Sequence, residues 1–411
     1  MKRKLLILSA IVFIIKALLL IHSGNFETMN PDEESNFLIA TNYLEGKNYT
    51  NSSGELSSFH GSFTVFLYQY LIQNNISKES YIIFYHFLAL LVFVLSISYF
   101  YKLLRHFRIP ENIAFLSVVL YSFYPSNIYY IGNLFTYEKF VLPILIFIFY
   151  LLLEAFKKNI INKLFWTLPI LVSISCLFRA QLIFVYFLLF VTFGVYAIVF
   201  WRKQKFIKEK SITYLLTGFL MILTHFPLLN KNHKMFGKYI LSTQIGYELM
   251  QGHNDFARGS WFGGWSNKES MYYKYSKENI TNLDDLNEYE EGIKRKEFAL
   301  NWIKNNPKKE MELVLRKTGI FILPKNYETG YNIINIIVHL MFISAVLFMI
   351  LRRKIDLNSI FILSPIIAVY TLCQIFFVGL RWRYYVEPFF ILFATYQIVE
   401  YAYAQQWLKR Q

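Results

Sequence analysis

The sequence predicts an all-α integral membrane protein with about ten transmembrane helices and two larger extracytoplasmic segments, and three observations carry that expectation. Apolar residues come in blocks of about twenty, the length a helix needs to cross a bilayer. Of the 411 residues, 55% are hydrophobic and 19% aromatic, whereas 17% are charged. The lysines and arginines fall in short connections between the blocks, where they set orientation. The net charge of +15 therefore speaks for a membrane topology and against nucleic acid as a partner.

In chain order the blocks are Leu5–Ile21, Tyr81–Phe100, Ile113–Ile131, Phe140–Phe156, Leu164–Leu177, Leu182–Trp201, Ile212–Leu229, Asn332–Leu351, Leu357–Val378 and Tyr384–Tyr403. Met1-Lys2-Arg3-Lys4 before the first block resembles the start of a signal peptide, but no small-residue cleavage site precedes Asn25, so a retained first helix is expected. Threading with the N-terminus inside puts Lys2–Lys4, Lys102, Arg105, Arg108, Lys157, Lys158, Lys163, Arg202–Lys210, Arg352–Lys354, Lys409 and Arg410 on the cytoplasmic side. Only Lys139, Arg179, Arg381 and Arg383 remain in the short outer connections, so both termini are expected in the cytoplasm. Cys176 and Cys373 both lie inside apolar blocks and support neither a disulfide framework nor a thiolate zinc site.

This threading divides the chain into an N-terminal membrane module, 1–229, an extracytoplasmic segment, 230–331, and C-terminal membrane helices, 332–411. The N-terminal module contains a first outer loop, 22–80. There, Asn30-Pro31-Asp32-Glu33-Glu34 has the grammar of a helix start, with Asn30 as N-cap, Pro31 at the first helical position and acids in the first turn. Gly46 ends that helix. A polar stretch, Lys47–Ser58, leads to an apolar run, Phe63–Ile72, that is too short to span and is expected at the interface. The second outer segment carries a Gly- and Trp-rich patch, Gly252–Trp265, a helix over Asp284–Asn305 ended by Pro307, and a basic amphipathic stretch, Lys308–Leu323. No internal repeat of the inverted-repeat transporter kind is present.

With this topology Asp32, Glu33, Glu34, Glu138, Arg179, Arg381 and Arg383 converge on one face. Ionisable groups at a membrane edge are costly and need a partner or a task. Helix capping for the acids and snorkelling for each arginine are the structural alternatives. Together the residues suit a reaction whose donor is a lipid phosphate: guanidinium groups bind phosphate oxygens and neutralise the charge of the leaving phosphate. Such a leaving group needs little protonation, so one carboxylate taking the acceptor's proton suffices. Asp32 and Glu33 diverge by about 100° on a helix and cannot easily reach one atom together. Asp32 is therefore assigned as base and Glu33 to capping, electrostatic or metal contact, while Glu138 orients an acceptor or pairs with Lys139 or Arg179.

The order of Pro31-Asp32-Glu33, Ser58-Phe59-His60-Gly61, Tyr137-Glu138-Lys139, Leu177-Phe178-Arg179, Gly252-His253-Asn254 through Gly264-Trp265, and Arg381-Trp382-Arg383-Tyr384-Tyr385 resembles the GT-C superfamily of polyprenyl-phosphate-sugar-dependent glycosyltransferases. The likeness is to bacterial relatives of dolichyl-phosphate-mannose protein mannosyltransferase and lipid A aminoarabinose transferase, of glycosyltransferase family 39 type. It implies Asp32 as catalytic base and Glu138 as the second loop acid. It also implies Arg179, Arg381, Arg383 and Tyr384 near the donor phosphate, in a cell-envelope enzyme of a bacterial cytoplasmic membrane. Family members often carry prolines after the histidine, where this chain has His60-Gly61-Ser62, so His60 is either a substrate contact or a polar loop residue. Trp261 and Trp265 stack on a sugar ring or sit at the lipid interface.

The expected activity is inverting transfer of a sugar from a polyprenyl phosphate to a lipid, glycan or protein acceptor at the outer face of the bilayer. A divalent cation, magnesium or manganese, bridging carboxylate and phosphate is chemically reasonable, and the sequence leaves it open. His253 and Asp255 are too few for a metal site. The competing expectations are an oligosaccharide polymerase or ligase, and a lipid-linked-sugar flippase or other transporter, which places ionisable residues near the bilayer midplane.

Overall fold

The computed structural model describes residues 1–23, 29–58, 63–133, 138–260, 270–323, 332–352 and 355–405. Among them the regular structure is helical. The first half of the chain forms α1 (Lys2–Ser23), α2 (Pro31–Leu44), α3 (Thr64–Gln73), α4 (Lys78–His106), α5 (Glu111–Ser122), α6 (Pro125–Asn133), α7 (Glu138–Phe156), α8 (Leu168–Phe178) and α9 (Leu182–Val199). The second half forms α10 (Ile207–Phe236), α11 (Ile245–Gly252), α12 (Met271–Asn279), α13 (Glu288–Asn305), α14 (Pro307–Ile322), α15 (Ile333–Leu351), α16 (Leu357–Ile375), α17 (Leu380–Tyr384) and α18 (Glu387–Ala404).

Each apolar block becomes helix, but seven helices are long and apolar enough to cross a membrane alone: α1, α4, α7, α9, α10, α15 and α16. The other three blocks differ for local reasons. Ile113–Ile131 breaks into α5 and α6 because Pro125 disfavours helical geometry at Tyr124, while itself suiting a first helical position. Leu164–Leu177 begins with a 3-10 turn and leaves α8 short. The last block, α18, carries Glu387, Gln397 and Glu400 among its apolar residues. The helix starts read from sequence are present: Asn30 accepts the amide of Glu33 at 3.0 Å, and Asn287 and Glu290 form a reciprocal capping box on α13. Gly46 follows α2 at φ +81°, the left-handed geometry expected there.

The centre of the bundle is α7, nearly all of which is buried; α4, α8 and α9 pack on it, and α16 packs on α9. Helix α8 lies on α10, and α15 on α18. One end of the bundle is basic: Glu154 accepts Lys158 at 2.7 Å beside His106, Lys157 meets Asn358, and Asn159 accepts Lys210 at 3.0 Å. The other end carries α2, α3 and the α11–α14 segment.

Two side chains, one half-buried and one buried, hold that segment in place. Glu288, the first residue of α13, accepts the Ser57 hydroxyl at 2.6 Å, the Ser58 amide at 2.8 Å and the Thr243 hydroxyl, tying the 48–58 stretch to α13. Arg383, fully buried in α17, donates to the carbonyls of Ile320 at 3.1 Å and Leu323 at 2.8 Å and to Glu387 at 3.3 Å. It thereby satisfies carbonyls at the C-terminal end of α14 that the helix leaves open. Backbone approach does the rest: a Cβ on Gly246 would lie 1.7 Å from the Gly292 carbonyl oxygen, and one on Gly252 1.8 Å from that of Phe376. Gly252→Ala is therefore expected to destabilise the chain by about 1–3 kcal/mol through overpacking. Gly218→Ala, where a Cβ meets nothing within 4 Å, is expected to be neutral or slightly stabilising. Thermal unfolding of both variants in detergent checks this, and equal midpoints would refute the close docking of α11 on the Phe376 backbone.

Candidate active site

The N-terminus of α2, the C-terminus of α8, α11 and α17 meet at the end of the bundle opposite the basic one. Asn30, not Asp32, supplies the side-chain cap of α2, which leaves Asp32 to face α17. Its Oδ2 lies 3.2 Å from Arg381 Nη1, and both groups are partly exposed, Asp32 by 31% and Arg381 by 43%. They are open to a substrate.

Glu33 turns the other way, into the protein, as the 100° step of a helix requires. It is buried and accepts the Tyr68 hydroxyl at 2.7 Å. Tyr68 comes from α3, the apolar run expected at the interface, which packs along α2 with Asn36 donating to Thr64 at 3.1 Å. Burial pushes the Glu33 carboxyl up to about 7; Tyr68 and Arg179 pull it back, and Asp32 adds a smaller push. Glu34 points to solvent, 3.6 Å from Lys78.

Arg179 caps α8 in an extended conformation and carries its guanidinium into the field of both Glu33 and a second buried acid, Glu248. Glu248 lies on α11. Burial pushes its carboxyl up to about 7, against the pull of Arg179, Gln181 and Arg381. The sequence reading overlooked Glu248; an acid set among Tyr247, Leu249 and Met250 in a short amphipathic helix was the available signal.

Other expected site residues stand elsewhere. Arg383 is engaged by backbone carbonyls and Glu387 as described above, so its role here is structural and the expected phosphate contact does not fit its burial. Tyr384, beside it, is buried in the same hydrophobic core. Lys139, expected in a short outer connection, is fully buried in α7 with its ammonium 2.9 Å from His86 Nδ1. Lys16 is buried on α1, donating to the Asn127 carbonyl at 2.9 Å and lying 4.3 Å over the Phe93 ring. His253 and Asp255 do not act as a pair: His253 sits between Glu310 and the Ile375 carbonyl, each at 2.8 Å, while Asp255 accepts Lys309 at 2.7 Å and Trp302 at 3.2 Å. Among the described residues no three His, Cys, Asp or Glu side chains group as metal ligands. His60, Trp261, Trp265 and the side chain of Glu138 lie outside the described residues; the Glu138 backbone starts α7.

Searches against protein-family models and against curated proteins find no match for this chain. The site therefore has to be read from its own chemistry: two exposed, opposite charges over a buried layer of two carboxyl groups that share an arginine.

The raised carboxyl values fix a pH dependence. Below about pH 4.5 Glu33 and Glu248 are protonated whether the chain is folded or not, so neither contributes. As pH rises toward 7 the unfolded carboxyls ionise freely while the buried ones hold their protons, so folding stability falls across this window. The full penalty is reached above about 7, at about 3 kcal/mol for either group alone. Sharing Arg179 makes the two non-additive. Thermal unfolding between pH 5 and pH 8 is expected to show this decline, and Glu33→Gln or Glu248→Gln to flatten it. Slopes parallel to wild type in both variants would refute the burial assignment.

Proposed function

We propose that the chain is an inverting membrane glycosyltransferase that moves a sugar from a polyprenyl-phosphate donor to a lipid, glycan or protein acceptor at the extracytoplasmic face of a cytoplasmic membrane. The observation that supports this best is the Asp32–Arg381 pair over Glu33, Arg179 and Glu248, drawn from four distant stretches to one end of a membrane-type helical bundle. Asp32 takes the proton of the acceptor hydroxyl, and that oxygen attacks the anomeric carbon from the face opposite the phosphate. The bond from the anomeric carbon to the phosphate oxygen breaks with its electron pair leaving on the phosphate. Arg381 and Arg179 are the cations placed to receive that charge. Glu33 and Glu248 lie in the field of Arg179 and temper its charge.

The likeness of the motif order to the GT-C superfamily supports the same reading, as does the concentration of lysine and arginine at the opposite end of the bundle. A second reading, a lipid-linked-sugar flippase, draws on a different observation: Lys16, Lys139 and His86 are buried within the bundle, where transporters place ionisable groups.

Transfer of label from radiolabelled polyprenyl-phosphate hexoses to a membrane extract, run with magnesium, manganese or chelator, separates the two. Asp32→Asn is expected to lower transfer by about 10²–10⁴-fold with an unchanged unfolding midpoint. Arg381→Met is expected to weaken donor use. Equal transfer by Asp32→Asn and wild type would remove Asp32 as base. Absence of transfer, together with lipid flipping that Lys139→Met abolishes and Asp32→Asn leaves intact, would favour the flippase.

A further inference from the structure

About 16 Å along α2 from Asp32, at the helical rise over the eleven residues to Tyr43, a separate cleft of about 480 Å³ opens at the same end of the bundle. Its polar and aromatic walls are Tyr43 from α2, Asn48 and Tyr49 from the stretch that follows, and Asn230, Lys231 and Lys234 from the end of α10, and apolar side chains including Phe66 and Pro227 complete the lining. The tyrosine rings stack at 4.1 Å with 19° between planes. Lys231 is only 5% exposed, and its ammonium lies 4.8 Å over the Tyr49 ring.

Lys231 makes no hydrogen bond among the described residues. The carboxylate whose field reaches it, Glu288, already has both oxygens engaged, by Ser57 on one side and by Ser58 and Thr243 on the other. A buried cation with no hydrogen-bond acceptor is costly, and the Tyr49 face offsets only part of that. Lys234, one turn further on and exposed, adds a second cation over the same opening. The side-chain amides of Asn48 and Asn230 add neutral donors. The walls thus present cations and amide donors beside a stacked aromatic pair, which suits a phosphate carried on a polyol. The volume fits a headgroup and not a whole lipid.

Below the cleft, Phe219, Ile222, Leu223 and Phe226 of α10 expose a continuous apolar face running from Pro227 toward the middle of the span. Acyl chains would lie along that face with their headgroup in the cleft. We propose that this cleft is a binding site for an anionic phospholipid headgroup of the glycerol-phosphate kind, with the phosphate at Lys231 and Lys234 and the polyol against Tyr43 and Tyr49. It is distinct from the Asp32 site and does not depend on the transferase reading.

Native mass spectrometry of the full chain in detergent, titrated with phosphatidylglycerol or phosphatidylcholine, tests it by binding alone. Wild type is expected to prefer phosphatidylglycerol. Lys231→Gln and Lys234→Gln should each weaken it about tenfold, the loss expected for a charge-assisted contact, and Lys238→Gln, outside the cleft, less than about twofold. Lys234 is exposed, so its variant carries the test even if Lys231→Gln folds poorly. Equal retention of phosphatidylglycerol by wild type and the Lys231→Gln/Lys234→Gln double variant would overturn the site. An equal loss in Lys238→Gln would reduce it to general surface charge. Soluble glycerol phosphate binding as tightly as phosphatidylglycerol would overturn the lipid assignment in favour of a free phosphorylated polyol.

Discussion

Burial of two carboxyl groups, Glu33 and Glu248, within the field of one arginine, Arg179, is the constraint on which this end of the molecule depends. One guanidinium cannot neutralise two carboxylates, and a second unpaired negative charge out of water is too costly to keep. Burial is what pushes Glu33 and Glu248 both up to about 7, and the pull of Arg179 on each offsets only part of it. Asp32 escapes this condition because it is partly exposed and has its own cation, Arg381. The layer beneath is thus poised in protonation while the layer above is charged and accessible. An anionic group entering over Arg381 and Arg179 would compete with carboxylates for both, and the carboxyls beneath can take up protons as it does so. An anionic group arriving there would meet cations whose nearest carboxyls need not be fully ionised.

Such a cluster has to be assembled from parts that the chain keeps far apart. Asp32 and Arg381 are 349 residues apart, and Ser57 and Glu288 are separated by 231. The connections that bring them together are themselves polar clamps. Glu288 gathers three donors from two segments. Arg383 closes the carbonyl end of α14 against α18. The glycines at 246, 252 and 292 allow backbones to touch where a side chain would separate them. The rigidity of the site is borrowed from these contacts, since α2 and α11 are short helices that would be marginal alone.

The membrane-type helices were legible because hydrophobic length is a one-dimensional property, as were the Asn30 cap and the Asn287 capping box, which are local hydrogen-bond grammar. Divergence of Asp32 and Glu33 was legible for the same reason, from helical geometry. What the sequence concealed depends on tertiary burial. Arg381 and Arg383 look equivalent two residues apart, yet one meets Asp32 and the other fills the core. Lys139 reads as a connection residue beside Glu138 and is instead buried against His86. Glu248 sits in a segment whose apolar neighbours gave no hint that Arg179 would face it, because the α8 turn and α11 come together only in the fold. Tyr68, read as part of an interfacial run, became the hydrogen-bond donor to Glu33 by the packing of α3 on α2.

The depth of the charges separates the two functional readings on physical grounds. A flippase has to offer polar contacts along the path of a headgroup through the bundle, so its ionisable groups should line a passage. Lys16, Lys139 and His86 are instead packed in the core: Lys16 is held by a carbonyl and a phenyl ring, and Lys139 by an imidazole. Lys139 belongs to α7, the most enclosed of the long apolar helices, and His86 to α4, which packs on it. Asp32 and Arg381 are by contrast partly exposed, at the bundle's end, where a reacting group can arrive without crossing the protein. A partly exposed ion pair at the end and amines enclosed within suit surface chemistry on a membrane-bound substrate better than a passage through the bundle.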